Sequence, residues 1–171
     1  MTHAARGTTT QLRHIPFIEE VAALGDDDPS GLAARAGLLV LRLVDAWMED
    51  GALAGGVDAR AAMSARAAVE AMPAGQLTRG VLMNIVDVVR DSHARDVQAI
   101  GPRLMAYGRG LDLDAQWQLA VDVYDTVIEH VHVDEDRESA INALLRKGSC
   151  LRDLGRLADA DGCYDTAIPL A

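Results

Sequence analysis

The chain is poor in aromatic residues, and this shortage narrows the fold classes open to it. Aromatic side chains make up 4% of the 171 residues, although half of the chain is apolar. Alanine, leucine and valine supply most of that apolar surface. Alanine and leucine favour helix formation, and small aliphatic side chains allow close packing between helices. Sheet cores rely more on β-branched and aromatic residues. The composition therefore predicts a helical protein of ordinary domain size.

Basic residues are also scarce: the chain has 16 lysines and arginines and 26 acidic residues, which gives a net charge of −10. Non-specific binding to nucleic acid and docking on an anionic membrane both require clustered basic side chains. We therefore expect neither nucleic-acid nor membrane partners. The simplest interpretation of the acidity is that it keeps the protein soluble.

Long apolar runs and a secretory signal are missing as well. The most apolar stretch, residues 38–48, contains Arg42 and Asp45. It is also far shorter than the ~20 residues that a transmembrane helix needs. The first ten residues are polar and lack the apolar segment of a signal peptide. We therefore expect a cytoplasmic protein, and residues 1–13 are predicted to be disordered.

Apolar residues recur at helical spacing along most of the chain, and no stretch alternates as a strand does. Asp28 and Pro29 are predicted to be the N-cap and the first residue of the second helix. Pro102 predicts a kink in the fifth helix or a later start. Short loops should make successive helices antiparallel neighbours. The predicted helices cover residues 14–24, 30–50, 57–72, 76–92, 94–110, 114–132, 137–154 and 157–170.

Four residues recur after forty positions in the C-terminal half. Gly108, Ala120, Tyr124 and Val127 are followed by Gly148, Ala160, Tyr164 and Ala167. Small residues also lie one period earlier, at Ala68 and Gly80. A fixed period between 20 and 50 residues is typical of a helical array, and such arrays bind more often than they catalyse.

This pattern resembles the tetratricopeptide repeat (TPR) family. The resemblance implies antiparallel helix pairs stacked in a right-handed superhelix, a TPR-like α-solenoid. In it, Gly108 and Gly148 would admit the crossing helix, while Tyr124 and Tyr164 would act as bulky wedges. Ala120, Ala160 and Ala167 would be small contact residues. The period of 40 exceeds the family's 34, and the excess falls mostly in residues 130–138.

The resemblance is clearest over residues 95–171, which would form two helix pairs of a continuous array. Residues 14–94 are either divergent repeats or a helical bundle. In the family, the first helix of each pair lines a concave groove. The resemblance therefore implies a groove lined by Met105, Arg109, Asp112, Asn142, Leu145, Ser149 and Arg152.

This groove would receive a peptide or protein partner. Met105 and Leu145 would contact apolar side chains of an extended or helical peptide. Arg109 and Arg152 would bind a carboxylate, since guanidinium groups pair with carboxylates through two hydrogen bonds. Solvated surface charge is the alternative for both arginines. The family's lysine- and asparagine-based clamp for chaperone tails is not reproduced, so we do not expect that partner.

Few residues suggest chemistry. His130, His132, Asp134, Glu135 and Asp136 resemble a metal-ligand set by type. However, histidines two positions apart do not share a helix face, and a loop ending in an N-cap at Asp134 or Asp136 is the preferred interpretation. Cys150 and Cys163 are expected to be buried thiols, with a redox pair as the alternative. We expect no cofactor and no enzymatic activity.

The last predicted helix is not followed by a polar capping helix, which arrays use to cover their apolar ends. The chain is then either a fragment of a longer repeat protein or self-associates through this face. The sequence thus predicts a protein-interaction module or scaffold. The alternatives are a regulatory domain that senses a ligand or peptide within a larger protein, and a self-associating structural fragment.

Overall fold

The computed structural model describes residues 13–25, 27–49, 59–92 and 96–171. The described part contains eight α-helices and no strand, which confirms the all-α prediction. The helices are α1 (Ile15–Leu24), α2 (Pro29–Glu49), α3 (Ala59–Glu70), α4 (Leu77–Asp91), α5 (Val97–Leu113), α6 (Trp117–His130), α7 (Arg137–Asp153) and α8 (Leu157–Ala167). A short 3₁₀ turn, Ile168–Leu170, follows α8. Residues 1–12 of the predicted disordered terminus lie outside the described residues.

Side-chain caps fix several helix starts. The Asp28 carboxylate accepts a hydrogen bond from the Ser30 amide at 2.7 Å, and Pro29 is the first residue of α2, as predicted. The Asp136 carboxylate accepts from the Ser139 amide at 3.1 Å, so Asp136 is the N-cap of α7. Helix α5 starts at Val97, later than predicted, and continues through Pro102.

The forty-residue period of the sequence is also a period of the structure. Helices α5 and α7 begin at residues 97 and 137 and end at residues 113 and 153. The turns that follow place Ala115 and Gly155 in left-handed conformations, with φ of 57° and 81°. Helices α6 and α8 then begin at residues 117 and 157. The repeat is therefore one helix, one tight turn and a second helix.

Each of these two pairs packs a glycine against a tyrosine. A methyl group added at Gly108 would lie 2.4 Å from Cε1 of Tyr124, and one added at Gly148 would lie 2.7 Å from Cε1 of Tyr164. Such approaches are possible only where no Cβ is present. Glycine therefore allows α5 and α7 to pack closely against the tyrosine of the next helix. Ala120, Ala160 and Ala167 are all buried in the described structure.

The preceding pair, α3 and α4, keeps the helix spacing but not this packing. Helix α4 begins at Leu77, forty positions before α6 begins. A methyl group at Gly80 would meet no atom within 4 Å, and exposed Asn84 stands one period before Tyr124. The small residue at Gly80 is therefore not a packing requirement.

Every helix packs against the next one along the chain, and α5 also packs against α7. The N-terminal hairpin takes a different place, since α2 contacts α4 and α6 and α1 contacts α6. Helices α1 and α2 thus lie against the second helices of the following pairs. None of the helices in the described ranges is long and apolar enough to cross a membrane.

Candidate binding surface and a buried ion network

The seven predicted groove residues lie on α5 and α7, which are neighbours in the structure. Met105 is buried in the core with 6% of its surface exposed, so it offers little contact area to a partner. This placement disagrees with its predicted role as an apolar anchor. Leu145 is 39% exposed and remains available. Arg109 and Arg152 are exposed, while Asp112, Asn142 and Ser149 are half-buried.

Three arginines on these two helices make no ion pair or hydrogen bond with any described residue: Arg109, Arg146 and Arg152. Several arginines outside these two helices are paired. Arg66 contacts Glu70 at 3.1 Å, and Arg90 contacts Asp91 at 3.1 Å. Because the chain has ten more negative than positive charges, three unpaired guanidinium groups on adjacent helices are an unusual local surplus of cationic donors.

A buried polar cluster lies beneath this surface. The Tyr124 hydroxyl has no hydrogen-bond partner among the described residues. Burial raises its pKa, and the negative charge of Asp112 acts in the same direction. Burial also raises the pKa of Cys150 to about 12, with further contributions from the charge of Asp112 and a hydrogen bond to it. A thiol with such a pKa is a poor nucleophile at neutral pH.

The residues that resemble a metal-ligand set by type are dispersed. His130 is the last residue of α6 and is buried, His132 is exposed, and Asp136 caps α7. Within the described ranges, no three His, Cys, Asp or Glu side chains are placed to hold a metal ion together. His130 instead contributes to an ion network that the sequence did not suggest.

Asp45 is the centre of that network, and it is only 1% exposed. One carboxylate oxygen accepts a hydrogen bond from Nε2 of His14 at 2.6 Å, and the other accepts from Nε2 of His130 at 2.7 Å. Nδ1 of His14 donates to Asp122 at 2.8 Å. Since both ring nitrogens of His14 face carboxylates, this imidazole is protonated.

Arg13 extends the network towards solvent. Its guanidinium lies 3.4 Å from Asp45 and 2.9 Å from Glu49, and it also pairs with Glu129. The network thus joins the two residues before α1 to α2 and α6. The signal in the sequence was Asp45 itself, an acidic residue inside the most apolar stretch of the chain, where a charge needs a partner.

Hydrogen bonds between the charged forms of His14 and Asp45 set the protonation states of both residues. Burial alone would lower the pKa of His14, but hydrogen bonds to Asp122 and Asp45 outweigh it and raise the pKa to about 9. Burial would raise the pKa of Asp45, but hydrogen bonds from His130 and His14 outweigh it and lower the pKa to about 2. At neutral pH the core therefore holds an imidazolium between two carboxylates.

Two shallow clefts are present on other faces. One, of about 450 Å³, lies between α6 and α8 and includes the Lys147–Asp125 ion pair, whose atoms are 2.6 Å apart. The other, of about 480 Å³, lies where α1, α2, α4, α5 and α6 meet and has both polar and apolar lining residues. Neither is lined by the unpaired arginines of α5 and α7.

Comparisons of the chain with protein-family models, with curated proteins and with solved structures gave no match. The arrangement of its own residues is therefore the basis for the functional proposal.

Proposed function

We propose that this chain is a non-enzymatic protein-interaction module, built as a TPR-like array, that binds an acidic peptide segment of a partner protein across α5 and α7. Two features support the architecture: the helix pairs recur every forty residues, and each packs a glycine against a tyrosine. Stacking of the pairs into a superhelix belongs to the proposal.

The unpaired arginines are the observation that carries the proposed binding. Arg109 projects from α5, and Arg146 and Arg152 project from the adjacent α7. A guanidinium group binds a carboxylate through two parallel hydrogen bonds, so these side chains match aspartate, glutamate or a chain terminus. Leu145, also on α7, is an exposed apolar residue. The fitting ligand is an acidic peptide that also carries an apolar side chain.

A panel of labelled peptides tests this proposal by fluorescence anisotropy. The panel varies the number of acidic residues around one leucine, and basic peptides of equal length serve as the peptide control. We expect acidic members to bind the unmodified chain and to lose at least tenfold in affinity for Arg109→Glu/Arg152→Glu. A charge-assisted hydrogen bond contributes about 1.5–3 kcal/mol, enough for such a loss.

Arg66→Glu/Arg90→Glu is the matched control, because it changes the net charge equally but affects arginines already paired elsewhere. We expect it to bind as the unmodified chain does. Equal losses in both double variants would show that only the overall charge matters. Binding of basic peptides in preference to acidic ones would contradict the proposal directly.

Self-association through α8 is a second candidate. Leu157 and Ile168 are 60% and 68% exposed, and Tyr164 is partly exposed although its counterpart Tyr124 is buried. If this candidate is correct, the unmodified chain should sediment as a dimer, and Leu157→Lys/Ile168→Lys should sediment as a monomer. A concentration-independent monomer of the unmodified chain would remove this candidate.

A regulatory, peptide-sensing role within a larger protein would use the same α5–α7 surface. It requires that the bound peptide change the conformation of the array as well as occupy it. Small-angle scattering with and without a binding peptide distinguishes the two roles, because simple binding leaves the dimensions of the chain unchanged.

A further inference from the structure

Helix α1 packs against the core through one fully buried side chain and two half-buried ones, Ile18 and Val21. Phe17 is the one residue of its ten that is fully buried, whereas Ile15 is 47% exposed. The Phe17 ring lies against Gly37 of α2 and 6.4 Å, between centroids, from the ring of Tyr107 on α5. A helix with one fully buried residue opens more easily than helices that bury several, such as α2 and α5.

The ion network attaches α1 at its N-terminal end. His14 precedes α1 with a φ of 63°, a left-handed conformation that residues with a Cβ rarely adopt. Its side chain makes no capping hydrogen bond to α1, because both ring nitrogens point to carboxylates on other helices. Strained backbone of this kind persists only where surrounding contacts hold it.

We propose that α1 is a protonation-dependent latch: the His14 imidazolium, bound between Asp45 of α2 and Asp122 of α6, holds α1 in place, and loss of its proton releases α1 while α5 to α8 stay folded.

The charges around His14 explain why the neutral form fails to hold the helix. Four carboxylates face this region, from Asp45 and Glu49 on α2 and from Asp122 and Glu129 on α6. Two positive groups, the Arg13 guanidinium and the His14 imidazolium, oppose these four negative charges. Two further titratable groups lie near the network: His130 of α6 donates to Asp45, and Tyr107 of α5 faces Asp122. Neutral imidazole has one N–H and can donate to only one of its two carboxylates.

The direction of the pH effect follows from the raised pKa of His14. A group whose folded-state pKa rises from 6.5 to about 9 stabilises the folded state fully below pH 6.5 and loses that contribution as the pH rises through 9. The same rise means that protonation of His14 favours docking of α1. The lowered pKa of Asp45 keeps its carboxylate charged throughout this range.

Hydrogen–deuterium exchange with mass spectrometry tests the latch on the full chain. Exchange is compared at pH 6.0 and pH 9.5 after correction for the intrinsic rate at each pH. We expect protection of residues 15–24 to fall at least tenfold at the higher pH, while protection of α5 to α8 stays within twofold. Unchanged protection of α1, or equal loss in all helices, would overturn the proposal.

His14→Gln separates this histidine from other titrating groups, and His132→Gln is the control, since His132 is exposed. We expect α1 in His14→Gln to exchange rapidly at both pH values, and His132→Gln to behave as the unmodified chain. A His14→Gln variant that keeps the pH dependence would refute the assignment. If that variant does not fold, the comparison of the unmodified chain at two pH values still decides the question.

Discussion

Replacing Gly108 by alanine tests whether the repeated glycine is required by packing. The added methyl group would lie 2.4 Å from Cε1 and 2.9 Å from Cζ of Tyr124. Tyr124 is fully buried, so its ring cannot move aside into solvent. Either the ring or the helix must move.

The expected magnitude is a balance of two opposing effects. Overpacking a dense core costs about 1–3 kcal/mol. Replacing glycine by alanine inside a helix contributes about 0.5–1 kcal/mol of stability. We therefore expect Gly108→Ala to lose on the order of 1–2 kcal/mol, which lowers the melting temperature by roughly 2–8 °C for a chain of this length.

Two further glycines provide graded comparisons. Gly162 lies in the middle of α8, and a methyl group there would meet no atom within 4 Å. Gly162→Ala should therefore raise the melting temperature by about 1–4 °C through helix propensity alone. The melting temperature of Gly148→Ala should lie between those of Gly108→Ala and Gly162→Ala, because Tyr164 is partly exposed and can move away from the added methyl group.

The assay is thermal unfolding followed by circular dichroism at 222 nm, checked by urea titration. The reasoning requires the order Gly162→Ala, Gly148→Ala, Gly108→Ala from most to least stable. If Gly108→Ala were as stable as Gly162→Ala, the close approach of α5 to Tyr124 would not exist in solution. The forty-residue recurrence would then have no basis in packing.

Three other expectations follow from the described contacts. Asp136→Ala should lose about 1 kcal/mol of stability in urea titration, because it removes the N-cap of α7. The control Asp134→Ala should lose little stability, because Asp134 is exposed. Equal losses of stability in the two variants would contradict the cap. Asp45→Asn should lose about 3–5 kcal/mol, because the protonated His14 then keeps only one of its two carboxylate partners. A near-neutral result would refute the charged network. Burial raises the pKa of Cys150 to about 12. This thiol should therefore react with a chromogenic disulfide reagent far more slowly in the folded chain than in urea. Equal reaction rates would show that the thiol is accessible in the folded chain.

Local features of the fold were predictable because they depend on residues close in sequence. The Asp28 and Asp136 caps are hydrogen bonds to amides two or three residues further along the chain. The turn before α8 needs a left-handed residue, which Gly155 adopts readily. Helix ends were less certain, and α5 begins three residues later than expected, after the Asp96 cap.

The candidate site was predictable only in part. The resemblance to the TPR family grouped Arg109, Leu145 and Arg152 with Met105, and the first three are exposed. The resemblance could not show that Met105 lies in the core, because burial at the edge of a helix face depends on how the neighbouring helix is rotated. The absence of ion-pair partners for the arginines likewise becomes visible only when all helices are in place.

The sequence by itself determined the helical class, the forty-residue unit and the caps and turns that delimit its helices. All of these follow from side-chain size, local hydrogen bonding and helical periodicity. Tertiary structure alone decided the place of the N-terminal hairpin and the ion network beneath it. His14 and Asp45 are 31 positions apart, and His14 and Asp122 are 108 positions apart. No local pattern links such residues, because the energy that makes a charged histidine stable in the core exists only after packing has removed the water around it.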